Sequence, residues 1–240
     1  MEPIAFGKGF NAKYPISLVE QITEFLKNSI MEGRLQSGQR LVENELQRKF
    51  KVSRAPIRES FRILEKNGLL VNIPRKGTYV RKITKKFIKE TFPIRALLEG
   101  FASRIAVSHL KIKDIKEMEL ALSNMTDAVN KNDSKSYLKY HSKFHEIFIK
   151  ASGNEMLIEI LENLRNQAVW FRHTHLAISL VEESFEDLIL VHREILDCFI
   201  KKDEDLVEEQ VKNHILSAEQ RFSELLALKN ENQENYGVDI

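Results

Sequence analysis

KVSRAPIRESFRILEKNGLL, residues 51–70, reads as a helix with a proline in its first turn and arginines at 54, 58 and 62. Ser53 is placed to cap it by accepting a bond from a backbone N–H of the first turn. Pro56 falls where backbone N–H groups lack helical acceptors, so its missing donor costs little and its ring presets the backbone. Ile57, Phe61 and Leu64 form an apolar stripe, with Arg54, Arg58 and Arg62 beside it toward solvent. Gly68 after Asn67 is a stop signal. Arginines so spaced are either a solvated basic face or a surface aimed at a polyanion.

The neighbouring sequence decides between these. Upstream, Ser17-Leu-Val-Glu20 fits a capping box, followed by Leu18, Ile22, Phe25, Leu26 and Ile30 at helical spacing. Gly33 ends that helix, Ser37-Gly38 makes a turn, and Val42 to Phe50 reads as a second, shorter helix. Downstream, Leu69–Ile73 and Thr78–Arg81 are β-prone runs around Pro74-Arg-Lys-Gly77, a hairpin with a basic tip. Three helices and a basic hairpin make a winged helix-turn-helix. The major groove admits one helix, and side chains near its N-terminal end reach base edges. Arg54 and Arg58 stand at that end.

Charge supports the same reading. The chain has 240 residues and a net charge of +2, which hides an asymmetry. Residues 1–82 carry 16 Lys/Arg against 8 Asp/Glu, whereas residues 83–240 carry 21 against 27. A basic front joined to an acidic back implies two domains with different partners, the first binding a polyanion. No apolar run reaches the ~18 residues of a membrane span, no signal-peptide pattern opens the chain, and Cys198 is the single cysteine. A reducing cytoplasm fits these features.

Beyond Phe87 the pattern is helical throughout. Amphipathic segments fall near 87–109, 112–130, 134–151, 155–177, 181–202 and 204–229, and the short breaks suit an antiparallel bundle. The expected fold is therefore mainly α. An arm at 1–14 precedes a winged helix-turn-helix at 15–82, and an all-α domain at 83–230 precedes a frayed tail at 231–240.

Leu18 to Val80 resembles the DNA-binding domain of the GntR family of bacterial transcription regulators. The likeness rests on Gly33-Arg-Leu…Ser-Gly-Gln-Arg-Leu41, Glu45-Leu46, Val52-Ser-Arg-Ala-Pro-Ile-Arg-Glu59, Leu64-Glu-Lys-Asn-Gly-Leu69 and Arg75-Lys-Gly-Thr-Tyr-Val80. It implies that Arg54 and Arg58 contact bases, that Ser53 contacts phosphate, and that the wing of Arg75, Lys76 and Gly77 enters the minor groove. Ser37 stands where a proline is usual. Asn44 stands where some relatives carry a DNA-contacting arginine.

Four histidines can be weighed before any likeness is invoked. His141 and His145 share a helix face in YHSKFHEIF, while His192 and His214 lie on two later helices. Imidazoles from three helices can hold a divalent transition metal; each can equally be a core or surface residue. Residues 88–225 resemble the FCD-type ligand-binding domain that follows the GntR reader in one large branch. The pattern is Ile94-Arg-Ala-Leu-Leu-Glu-Gly100, Phe144-His145, Ala151-Ser-Gly-Asn154, His192-Arg-Glu-Ile195 and His214. Metal-binding members have histidines matching His145, His192 and His214. Their fourth ligand, usually aspartate or asparagine, falls at His141.

The resemblance thus implies an all-imidazole set, His141, His145, His192 and His214, and four nitrogens favour zinc, nickel or copper, with zinc foremost and nickel next. Nitrogen donors disfavour magnesium and calcium. Such a set leaves the charge of the ion uncancelled, which attracts an anionic ligand. Arg95 is a candidate clamp for a small carboxylate effector, or else the partner of Glu99 one turn away. Arg172 in WFRHTH is a second candidate clamp. His109, His173 and His175 read as surface residues, and Cys198 as core.

Three functions follow. The leading one is a homodimeric regulator that reads a palindromic operator on double-stranded DNA and is controlled by a carboxylate bound beside the metal. A metalloenzyme fused to a DNA reader is another, although no HExxH occurs and Ser142 follows His141. The third is a constitutive dimeric DNA-binding protein.

Overall fold

The computed structural model describes residues 17–82, 84–173 and 185–234, with backbone alone at 166–173, 185–186, 188 and 225–234. The arm at 1–14, the ends placed at 177 and 181 for two helices, and the tail beyond 234 lie outside those residues. Contacts divide the chain into two units, one built mainly of residues up to Ile83 and one mainly of those after it.

In the first unit, Ser17 and Glu20 form the expected capping box and open α1 (Leu18–Met31). α2 (Glu43–Phe50) and α3 (Arg54–Lys66) follow. Ile22, Leu26 and Ile30 of α1 pack with Leu46 and Phe50 of α2 and with Ile57, Phe61 and Leu64 of α3. The buried Ser60 hydroxyl donates to the Val19 carbonyl at 3.0 Å and to the Pro56 carbonyl at 2.8 Å, tying α3 to α1.

Two local expectations change. Ser53 occupies the N-cap of α3, but its side chain makes no capping bond. An N-cap oxygen accepts from the second or third helical N–H, and the third helical residue is Pro56, which has none. The sheet also has three strands, β1 (Arg40–Leu41), β2 (Leu70–Ile73) and β3 (Gly77–Val80), in the order β1-β3-β2. Two residues are too few to show a period, so β1 was not legible in the sequence. β2 and β3 pair antiparallel from Leu70↔Val80 to Ile73↔Gly77. At the tip the Lys76 N–H donates to the Ile73 carbonyl at 3.0 Å. Arg75 there adopts φ 65°, a left-handed conformation uncommon outside glycine.

The second unit is helical throughout its described residues. It comprises α4 (Lys85–Ala106), α5 (Ile112–Asn130), α6 (Ser134–Ala151), α7 (Glu155–His173), α8 (Phe185–Lys201) and α9 (Glu204–Glu234). α4 runs against α9 and α6; α5 against α6 and α8; α8 against α9. Their shared core includes Met118, Met125, Phe144, Phe148, Leu161, Ile195, Phe199 and Val211. Cys198 is buried there, as expected. Gly100 lets α4 approach α9 closely: an added Cβ would lie 3.1 Å from the Glu208 carbonyl oxygen and 2.7 Å from the Lys212 side chain.

Candidate functional site

α3 presents its arginines outward, as its stripe requires, but they are not simply solvated. Arg54 Nε donates to Gln47 Oε1 at 3.1 Å and its Nη2 to Asn44 Oδ1 at 2.7 Å. Arg58 Nε sits 3.0 and 2.9 Å from the two carboxylate oxygens of Glu43. All three acceptors belong to α2. Ser53, Arg75 and Lys76 are exposed, and Gly77 is half-buried with φ 108°. Glu43 and Gln47 carry no signal in the sequence, and Asn44 stands out there only as the place where some relatives carry a DNA-contacting arginine. No periodicity reports which polar groups of two helices meet across a turn.

In the helical unit, His141 and His145 on α6, His192 on α8 and His214 on α9 come together. All four are buried, none more than 4% exposed. Ring centroids lie 4.7 Å apart for His141–His145, 4.8 Å for His141–His192 and 4.5 Å for His192–His214. One nitrogen from each lies within 4.8 Å of the others, so the set could hold a metal ion. Zn–N bonds run about 2.0–2.1 Å, which places the nitrogens of a tetrahedral site about 3.3–3.4 Å apart, so the rings draw closer together to close on one ion. The donors are chemically suited: buried imidazole nitrogens, with ring centroids of Phe144 5.2 Å from His192 and of Phe148 5.4 Å from His145.

Behind this cluster stands an ionic pair. His145 Nδ1 lies 2.9 Å from Glu99 Oε2, while Arg95 donates to Glu99 Oε1 from Nε at 3.0 Å and Nη2 at 2.6 Å. Arg95 is 2% exposed and Glu99 fully buried. Burial alone would raise the Glu99 carboxyl, but the Arg95 guanidinium and the bond with His145 hold it well below the usual carboxylate range. A charged Glu99 accepts the Nδ1 proton of His145, which leaves Nε2 as the donor atom toward the cluster. Arg95 is thus paired with Glu99, and among the described residues its buried Nη1 has no hydrogen-bond partner. Arg165, unremarked in the sequence, donates from Nη2 to the Ser142 carbonyl at 2.7 Å. Burial lowers its basicity, opposed by the charge of Glu99. The side chain of Arg172 lies outside the described residues, as do those of His173 and His175. His109 is exposed.

Residues 18–80 match the family model for bacterial regulatory proteins of the gntR family, and residues 90–217, more than half of the chain, match the FCD domain. The chain belongs to the GntR family, with an FCD domain. The HTH-type transcriptional regulator YdhC of Bacillus subtilis is 28% identical over 206 residues, covering 85% of this chain and 91% of that protein. A probable D-xylose utilization operon transcriptional repressor of Paenarthrobacter nicotinovorans is 28% identical over 199 residues, covering 83% and 86%. The solved structure of Escherichia coli McbR/YncC has the same fold, with a TM-score of 0.73 at 22% identity over 90% of this chain and all of that one. As a GntR regulator the chain is a DNA-binding transcription factor, and the metalloenzyme reading falls because the family and its relatives regulate transcription. Among the described residues of this GntR regulator, no helix is long and apolar enough to cross a membrane.

Proposed function

We propose that this regulator binds a palindromic operator as a homodimer, and that a small carboxylate bound beside a divalent transition metal sets its DNA affinity. The observation that carries the effector reading is the convergence of four buried imidazoles with no carboxylate among them. Zinc is the first choice of metal and nickel the second. The carboxylate bonded to the cluster, Glu99, is balanced by Arg95, so a bound ion keeps its full charge and an open coordination position favours an anion. Arg95 Nη1 supplies a buried donor for that anion's far oxygen, with Arg172 as a second candidate. For DNA, we assign base contacts to Arg54 and Arg58, a phosphate contact to Ser53, and minor-groove entry to Arg75, Lys76 and Gly77.

The dimer reading has support on α4. Glu90, Ile94, Leu97, Phe101 and Arg104 recur at alternating spacings of four and three, one face of the helix. Ile94, Leu97 and Phe101 are 51%, 62% and 46% exposed. A second copy crossing antiparallel at Leu97 covers these three and brings Glu90 opposite the partner's Arg104, which is already paired within its own chain with Asp205 and Glu208. A patch that complements itself is what a two-fold interface requires.

The test is metal analysis of the purified full chain, followed by a screen of small carboxylates. Close to one equivalent of metal per chain is expected, with a carboxylate that raises the melting temperature of loaded protein only and changes its affinity for DNA. Carboxylates that act equally on loaded and stripped protein would sink the metal-linked reading.

A further inference from the structure

The reading helix leans on α2 through contacts that fold stability does not explain. Arg58 is paired with Glu43 in the open, their side chains 58% and 31% exposed, and exposed ion pairs contribute little to folding. Arg54 is held in the same way by two neutral amides, Asn44 and Gln47. In both cases the acceptor takes the Nε side of the guanidinium. An arginine has five N–H donors in a rigid fork, and two of them suffice for the O6 and N7 of guanine. Acceptors on the Nε side therefore fix the plane of the fork while its outer donors remain for a base.

We infer that Glu43, Asn44 and Gln47 are positioning residues that set which bases Arg58 and Arg54 read. The inference rests on the base-contact reading of those two arginines given above. Glu43 adds a second effect. A carboxylate on the DNA-facing side repels phosphates whatever the sequence, so it weakens binding to any duplex. If Arg58 swings away to meet a phosphate, Glu43 is left beside a polyanion without its cation. That penalty falls on misaligned complexes and not on the aligned one, which is how a repulsive element creates specificity. Asn44 acts without charge. Its carbonyl oxygen accepts from Arg54, whereas an arginine at that position has only donors; it would release Arg54 and alter the preferred bases. An outward-facing asparagine is thus a specificity residue rather than a gap.

The test uses the full-length protein and duplexes that the wild type selects from a random library. Affinities are measured at fixed salt for the selected duplex and for a scrambled duplex of equal length, with wild type, Arg58→Ala, Glu43→Gln and Asn44→Ala. Glu43→Gln should bind the scrambled duplex more tightly and lose about tenfold in the ratio of selected to scrambled affinity, the size of one good base contact. Asn44→Ala should lose discrimination at the base pair read by Arg54, with little change on scrambled DNA. If both variants change the two affinities by equal factors while Arg58→Ala lowers the ratio, the bracing role is wrong and the base-contact reading stands. A ratio unmoved by Arg58→Ala, or a library from which the wild type enriches nothing, overturns the base-contact reading itself.

Discussion

His141 stands where related metal sites are expected to carry an aspartate or asparagine, and the fold buries it among three other imidazoles. If it is a ligand, His141→Ala weakens metal binding while the winged unit stays folded. His141→Asp restores metal but lowers affinity for an anionic effector, because the added carboxylate cancels part of the charge. Metal content and affinity unchanged in His141→Ala would leave a three-histidine site. Glu99 is the other residue whose role only its neighbours reveal. Removing it strands the Arg95 guanidinium in the interior and frees Nδ1 of His145. Breaking a buried pair from one side costs about 3–5 kcal/mol, so Glu99→Ala should lower unfolding free energy by that order, measured by urea denaturation of stripped protein. A loss below about 1 kcal/mol, the worth of an exposed pair, would mean that water reaches Arg95. In the sequence Glu99 was only a possible helical neighbour of Arg95, since a spacing of four does not distinguish a surface pair from a buried one.

At the scale of elements, periodicity was a dependable guide wherever one face is buried. α1, α3 and the bundle helices lie close to where their apolar residues placed them, and the wing hairpin forms around its basic tip. The misses have local causes. β1 is two residues long and is held by β3 through Arg40↔Tyr79 and Leu41↔Thr78 rather than by any propensity of its own. Ser53 lost its capping bond to a proline three residues later. α4 departs in another way: its inner face packs on α9 and α6, and its outer face carries the exposed stripe through Leu97. If that stripe is the dimer seam, Leu97→Asp places two carboxylates against each other at the crossing point. The variant should sediment as a monomer at micromolar concentration and lose affinity for a palindromic duplex far more than for a half-site. A variant that stays dimeric removes α4 from the interface.

For the whole molecule, the decisive quantity is what a bound ion does to a bundle whose ligands come from α6, α8 and α9. A ligand held only by the folded state stabilises by mass action, about 2.7 kcal/mol at one hundred times its dissociation constant. Chelation followed by dialysis should therefore lower the melting temperature of the helical unit by several degrees, and readdition of zinc should restore it. In calorimetry the transition of the winged unit should move less, because its core contains none of the four histidines. Equal melting curves with and without chelator would argue against a structural role for the metal.

The fold class, the basic front and acidic back of the chain, and the helix that carries Arg54 and Arg58 were all legible in the sequence. Each depends on short-range periodicity, helix-boundary residues or summed charge, which a linear pattern carries. The His145–Glu99 contact and the grip of Glu43, Asn44 and Gln47 on Arg54 and Arg58 were decided by tertiary structure. These contacts join helices whose relative rotation and depth follow from packing of the core. A rotation of a few tens of degrees would break each contact between helices, sparing only Arg95–Glu99 within α4, without changing a single residue in the pattern.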